Sequence, residues 1–140
     1  EWMPKRVKDN GVDYENIPAL DIREYIYNMP TVMAAADVII SRAGASSCNE
    51  IAACGTPCIL IPSPNVTDNH QEKNARALSD KGGAVLILEK DCTAERLMEE
   101  ITGILEDKER YSAMCKALLD MSVPDCAERL CAIMENLIKK

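Results

Sequence analysis

The sequence has no phenylalanine, one histidine and one tryptophan, and aromatic residues make up only 4% of it. A core of stacked rings is excluded. Ile, Leu, Val, Ala and Met must fill the interior, and a chain that is 47% hydrophobic supplies enough of them. Basic residues are also few: 16 Lys and Arg against 23 Asp and Glu, a formal net charge of -7. That balance argues against an electrostatically driven nucleic-acid binder, which needs a basic face. It does not exclude one phosphorylated small molecule, because a helix N-terminus holds an anion whatever the net charge. The seven cysteines are odd in number and contain no C-x-x-C pair. With a single histidine beside them, they read as small apolar thiols in a reducing cytoplasm, not as a zinc site or a disulfide framework. No apolar run approaches the ~18 residues of a membrane span, and no signal peptide opens the chain. No G-x-G-x-x-G follows a strand, which weakens a plain dinucleotide-binding reading.

What is present fits one ordinary domain of 140 residues. The chain starts with Glu, not Met. Processing gives such a start too, but the expectation is a fragment of a longer enzyme. Residues 1–18 are polar and carry Pro4, Gly11 and Pro18, so they read as a remnant or linker. Residues 19–26 read as a short strand running into a loop. A helix follows from about residue 28 to 36, with Pro30 in its first turn, where a missing N–H does no harm. Residues 37–41 form a buried strand and 42–45 a tight turn. The next helix runs to about Cys54, with Gly55 as its stop. Strand 57–62, helix 69–79, the Gly82-Gly83 break and strand 84–88 come next. Helices are expected at 93–105, 108–121 and 125–138, with Pro124 separating the last two. Thr93 is a plausible cap for the first of them. Continuous apolar strands separated by helices imply a parallel sheet covered on both faces. The fold class is α/β, a Rossmann-like layered domain with four strands, few for that architecture.

Ligands in such sheets bind beyond the carboxyl ends of the strands, and loops 25–30, 41–47 and 62–71 meet that condition. In Ser41-Arg42-Ala43-Gly44-Ala45-Ser46-Ser47-Cys48-Asn49-Glu50, small residues after a strand let backbone approach a ligand closely. The helix that follows offers free N–H groups to a diphosphate. Glu50 lies ~6 Å further along the axis, placed to accept hydrogen bonds from two ribose hydroxyls. The same Ser47–Glu50 spacing also satisfies a capping box, and on residues alone that plainer reading has precedence. His70 and Gln71, in the first turn of the 69–79 helix, suit sugar hydroxyls because both side chains donate and accept. A polar helix start capped by Asp68 is the plainer reading there. The 25–29 loop, with Ile26 and Met29, can hold a flat base or simply end a strand and cap a helix. The residues alone do not decide.

Taken together, Tyr25-Ile26-x-x-Met29, the run 35–45 (AADVIISRAGA), the run 49–57 (NEIAACGTP), Ile61-Pro62 and Asp68-x-His70-Gln71-x-x-Asn74-Ala75 resemble the C-terminal domain of the MurG-type glycosyltransferases. These are N-acetylglucosaminyltransferases that convert lipid I to lipid II in peptidoglycan synthesis. The likeness is close over 19–90, looser afterwards and weak over 1–18. It implies the C-terminal half of a two-domain GT-B enzyme, truncated on its N-terminal side, with 1–140 as one partial UDP-sugar-binding domain and 93–140 as its C-terminal helices. The implied donor is UDP-N-acetylglucosamine. Ile26 would contact uracil through its backbone, Met29 would pack near the nucleotide, and Glu50 would bind the ribose. Arg42, Gly44, Ala45 and the helix start at Ser46 and Ser47 would lie along the diphosphate and sugar. Gln71 would bond to the N-acetylglucosamine, with His70 beside it where this family often has Gln. No catalytic residue, metal or cofactor is implied within these residues. The family's Gly-Gly-Ser-x-Gly loop has no counterpart in the sequence. Lipid I binding, membrane contact and the base belong to an N-terminal domain, so the chain alone is expected to bind donor without catalysing transfer. The whole enzyme would sit on the cytoplasmic face of the membrane. Two other readings stay open: the donor domain of another UDP-sugar transferase, and a non-catalytic nucleotide-sugar-binding subunit.

Overall fold

A computed structural model describes residues 3–138. Three short strands, β1 (Ile39–Ser41), β2 (Cys58–Leu60) and β3 (Ala84–Leu86), lie parallel in sequential order. The helices are α1 (Met3–Asp9), α2 (Met29–Ala35), α3 (Ala45–Cys54), α4 (His70–Ser79), α5 (Ala94–Glu106), α6 (Lys108–Met121) and α7 (Cys126–Ile138). Side chains alternate between faces along each strand, and two apolar clusters follow that alternation. Ile39, Cys58, Leu60, Ala84 and Leu86 pack with Met33 of α2, Ile51 and Ala52 of α3, and Ala75 and Leu78 of α4. Val38, Ile59, Ile61, Val85 and Ile87 pack with Leu97, Ile101 and Ile104 of α5. Helix α6 serves both clusters, giving Met114 to one and Leu118 to the other. Both faces are covered at β2, whereas β1, expected to be buried, is a half-buried edge strand with Ile40 exposed. No described residue of α7 is buried, and Leu130, Ile133, Met134 and Leu137 stand exposed along it.

One expected element does not form. Residues 19–26 contain no strand, and their side chains are exposed or half-buried. A strand exists only as part of a ladder, and β1 pairs with β2 alone. With no neighbour to complete its hydrogen bonds, the 19–26 segment runs over the surface. The sheet has three strands, not four.

Local punctuation follows the sequence closely. Gly55 ends α3 in the left-handed conformation (φ 67°), with its N–H bonded to the carbonyls of Ile51 and Ala52. The Thr93 hydroxyl accepts from the Arg96 N–H at 3.2 Å and caps α5. Asp107 caps α6 by accepting from the N–H groups of Glu109 and Arg110.

All seven cysteines are free. Burial pushes the Cys58 thiol up to about 12, with Cys48 nearby adding to the rise. Burial raises Cys48 as well. Cys126 and Cys131 are exposed on α7. Reactivity belongs to the thiolate and requires access. Iodoacetamide at mildly alkaline pH is therefore expected to label Cys126 and Cys131 and spare Cys48 and Cys58 in the native protein. Peptide mass mapping checks this, and early labelling of Cys58 would contradict the packing described.

Candidate functional site

The turn after β1 is held from two sides. Ala43 is fully buried, and its carbonyl accepts from the Asn74 side chain of α4 at 3.1 Å. Gly44 then acts as N-cap of α3 with ordinary extended dihedrals (φ -66°, ψ 147°) and no side-chain cap. The first helical bond runs from the Cys48 N–H to the Gly44 carbonyl at 2.9 Å. The N–H groups of Ala45, Ser46 and Ser47 precede that bond. Among the described residues, no hydrogen bond takes them up. They form the positive end of a helix of 10 residues. The helix begins at Ala45, not at Ser46 or Ser47. Ser47 therefore lies inside the first turn, and the capping box that Ser47 and Glu50 would form is absent.

Glu50 is exposed and makes no hydrogen bond or ion pair with any described residue. Two crevices meet at it. One, of about 380 Å³, is lined by Arg23, Glu24, Tyr25, Ile26, Met29 and Glu50. The other, of about 190 Å³, includes Met29, Met33, Ile40, Ser41, Ser47 and Glu50. Met29 and Glu50 belong to both, so the arrangement is one continuous line from the 23–26 loop to the start of α3. Pro30 opens α2 and places Met29 on this line.

His70 and Gln71 are not in that line. The Gln71 carbonyl oxygen accepts from the Ser63 N–H at 2.9 Å, and its amide donors meet no acceptor among the described residues. The His70 Nδ1 lies 2.9 Å from the Thr67 carbonyl. A carbonyl only accepts, so Nδ1 carries the proton and Nε2 is the free acceptor of the neutral ring. Asn74, one turn beyond Gln71, ties this helix to the 42–45 turn. The expected Asp68 cap does not form. Asp68 and Asn69 instead adopt left-handed backbone (φ 54° and 50°) in a 3-10 turn ahead of α4.

Arg42 reaches across the carboxyl ends of the strands. Its Nη1 donates to the Ile61 carbonyl at 3.2 Å and pairs with the Glu89 carboxylate in the loop after β3. That loop escaped sequence reasoning, although it too follows a strand's carboxyl end. A larger cavity, about 630 Å³, opens beside it between Pro62, Pro64, Asn69, Glu72, Glu89 and Lys90. The larger cavity carries Glu72, Glu89 and Lys90, the 380 Å³ crevice carries Arg23, Glu24 and Glu50, and the 190 Å³ crevice reaches Ser47 at the open N-terminal end of α3.

Parallel α/β layers with a crevice beyond the strands' carboxyl ends define a Rossmann-like binding domain. The sequence profile of the glycosyltransferase family 28 C-terminal domain matches residues 3–130, and the chain belongs to that family. It is 48% identical over 119 residues to the Bacillus cereus UDP-N-acetylglucosamine--N-acetylmuramyl-(pentapeptide) pyrophosphoryl-undecaprenol N-acetylglucosamine transferase 1, covering 85% of this chain and 33% of the relative. The corresponding transferase of Desulforamulus reducens is 38% identical over 140 residues, covering 100% of this chain and 38% of the relative. The chain thus spans about a third of the length of the curated relatives it matches. The crystal structure of Acinetobacter baumannii MurG superimposes with a TM-score of 0.77 at 24% identity, over 94% of this chain and 39% of that one. The expected likeness to MurG-type transferases, and the α/β fold that came with it, are borne out.

Proposed function

We propose that this chain is the donor-binding half of an inverting N-acetylglucosaminyltransferase, which moves N-acetylglucosamine from its UDP carrier to lipid I and forms lipid II for the peptidoglycan wall. The observation that carries this reading is Glu50: an unpartnered carboxylate where two crevices join, one turn from three unused backbone amides. The pentose hydroxyls of the nucleotide bond to Glu50. Ile26 and Met29 line the space for the uracil. The diphosphate meets Gly44, Ala45, Ser46 and Ser47, with Arg42 in reach from the end of β1. Gln71 and His70 offer an amide N–H₂ and a ring nitrogen to the sugar.

The chemistry these residues supply is orientation and leaving-group stabilisation. As the muramoyl hydroxyl attacks the anomeric carbon, negative charge builds on the departing UDP, and the α3 amides are already aimed at it. The acceptor, the base and the attachment to the cytoplasmic membrane surface belong to a separate acceptor domain. Among the described residues no helix is long and apolar enough to cross a membrane. Residues 1–140 act as one donor domain, 1–18 as its lead-in and 93–140 as its helical cover, and the chain alone binds without transferring.

Calorimetry with UDP-N-acetylglucosamine and UDP tests the sugar contacts. His70→Ala and Gln71→Ala are each expected to weaken the sugar nucleotide by about three- to tenfold, the worth of one hydrogen bond, and to change UDP little. Equal losses on both ligands would reject the sugar role. Equal competition by UDP-glucose would favour a different UDP-sugar transferase. A second variant tests the close approach at Gly44. A methyl there would meet only the Ser47 Oγ at 3.7 Å, an ordinary contact. Gly44→Ala is therefore expected to leave the melting temperature almost unchanged and to weaken UDP by about fivefold or more, by crowding the phosphate. Unchanged UDP affinity would remove Gly44 from the site.

A further inference from the structure

Arg42 stands at the carboxyl end of β1, two residues before the N-cap of α3, yet its guanidinium reaches across the sheet. It passes the end of β2, donating to the Ile61 carbonyl, and meets Glu89 beyond β3. Glu89 is 47 residues away in sequence and, among the described residues, pairs with no other cation. The two side chains are 52% and 44% exposed. An ion pair so open to water is weak, because solvent screens it and two flexible side chains must be held still. A diphosphate offers the same guanidinium more charge and two anionic groups at once, which a planar fork binds more strongly. The resting contact is therefore easily exchanged for a better one.

We propose that Glu89 is a placeholder for the donor's diphosphate: it occupies Arg42 while the site is empty and surrenders it when the nucleotide arrives. This rests on the donor-site reading above and adds a positioning residue to it. The exchange keeps the arginine neutralised and extended in the empty protein, and it sets a small cost on taking up a diphosphate, which must displace Glu89. A nucleoside without phosphates gains nothing from displacing Glu89. Glu89 thus tunes affinity for the diphosphate without touching the ligand.

Calorimetry on the chain with UDP and with uridine tests this. Glu89→Gln is expected to bind UDP about two- to fivefold more tightly, the worth of an exposed ion pair released. Uridine affinity should not change. In an Arg42→Ala background the substitution should have no effect on UDP. Three results would overturn the proposal: weaker or unchanged UDP binding in Glu89→Gln, tighter uridine binding, or a gain that persists without Arg42 and so reflects only the removal of a negative charge. Glu50→Ala, measured alongside, separates the levels. If it weakens UDP while Glu89→Gln fails as described, the placeholder alone is wrong. If UDP binds no form, or binds Glu50→Ala as well as the parent, the donor-site reading falls and takes the placeholder with it.

Discussion

Glu50→Ala is expected to weaken UDP binding by ~1–3 kcal/mol, about five- to 150-fold, while leaving the fold intact. The affinity loss follows from what the carboxylate is offered. It is exposed and without a partner among the described residues, so its accepting capacity is unspent until a ligand arrives. Two hydroxyls bonding to a charged group contribute more than neutral pairs do. The stability forecast follows from the same exposure. Alanine is the better helix former, and no buried contact is lost, so the melting temperature should hold or rise slightly. Titration calorimetry paired with thermal melts reads both. A variant that bound UDP as tightly as its parent would take the ribose away from Glu50.

Leu118→Ala should do the reverse, unfolding the protein readily without addressing the ligand. Leu118 is fully buried on α6 and packs in the cluster that joins α3, α4 and the sheet. It also lies against Gly83, so closely that a methyl added there would come within 3.0 Å of its Cγ and Cδ2. A glycine has no side chain to move into vacated space, so the hole left by truncation stays largely open. The cost belongs in the upper part of the usual range, ~3–5 kcal/mol. Against a total stability of about 5–15 kcal/mol, that is a large share. Urea denaturation should show a much lower midpoint with little change of slope. A loss under 1 kcal/mol would mean that α6 is not seated on the sheet as described.

The elements that were legible in the sequence are those set by neighbours in the chain. Gly55 stops α3 because the left-handed turn is local, and Thr93 caps α5 because its partner is three residues on. The β2 and β3 strands were visible as short apolar runs, since both faces of the sheet are covered there. The 19–26 segment failed for the opposite reason. Its apolar character is strand-like, but pairing is decided by what lies beside it, and nothing in a local window reports that. The Ser47–Glu50 spacing matches a cap, yet the N-cap is Gly44, three residues before Ser47, where the Asn74 bond to Ala43 helps fix the turn. That bond spans 31 residues, and the Arg42–Glu89 pair spans 47. Neither leaves a periodic or spacing signal. The loop after β3 was still within reach of reasoning, since the rule that placed the other three loops at strand ends applies to it equally.

A crystal structure of the chain with UDP measures the donor site directly. The nucleotide is expected along the line from Ile26 to α3, with a pentose oxygen within ~2.5–3.2 Å of the Glu50 carboxylate and phosphate oxygens on the backbone amides of residues 45–47. UDP bound in the larger cavity beside Glu72 and Glu89, or a Glu50 crevice left empty at saturating nucleotide, would contradict that placement.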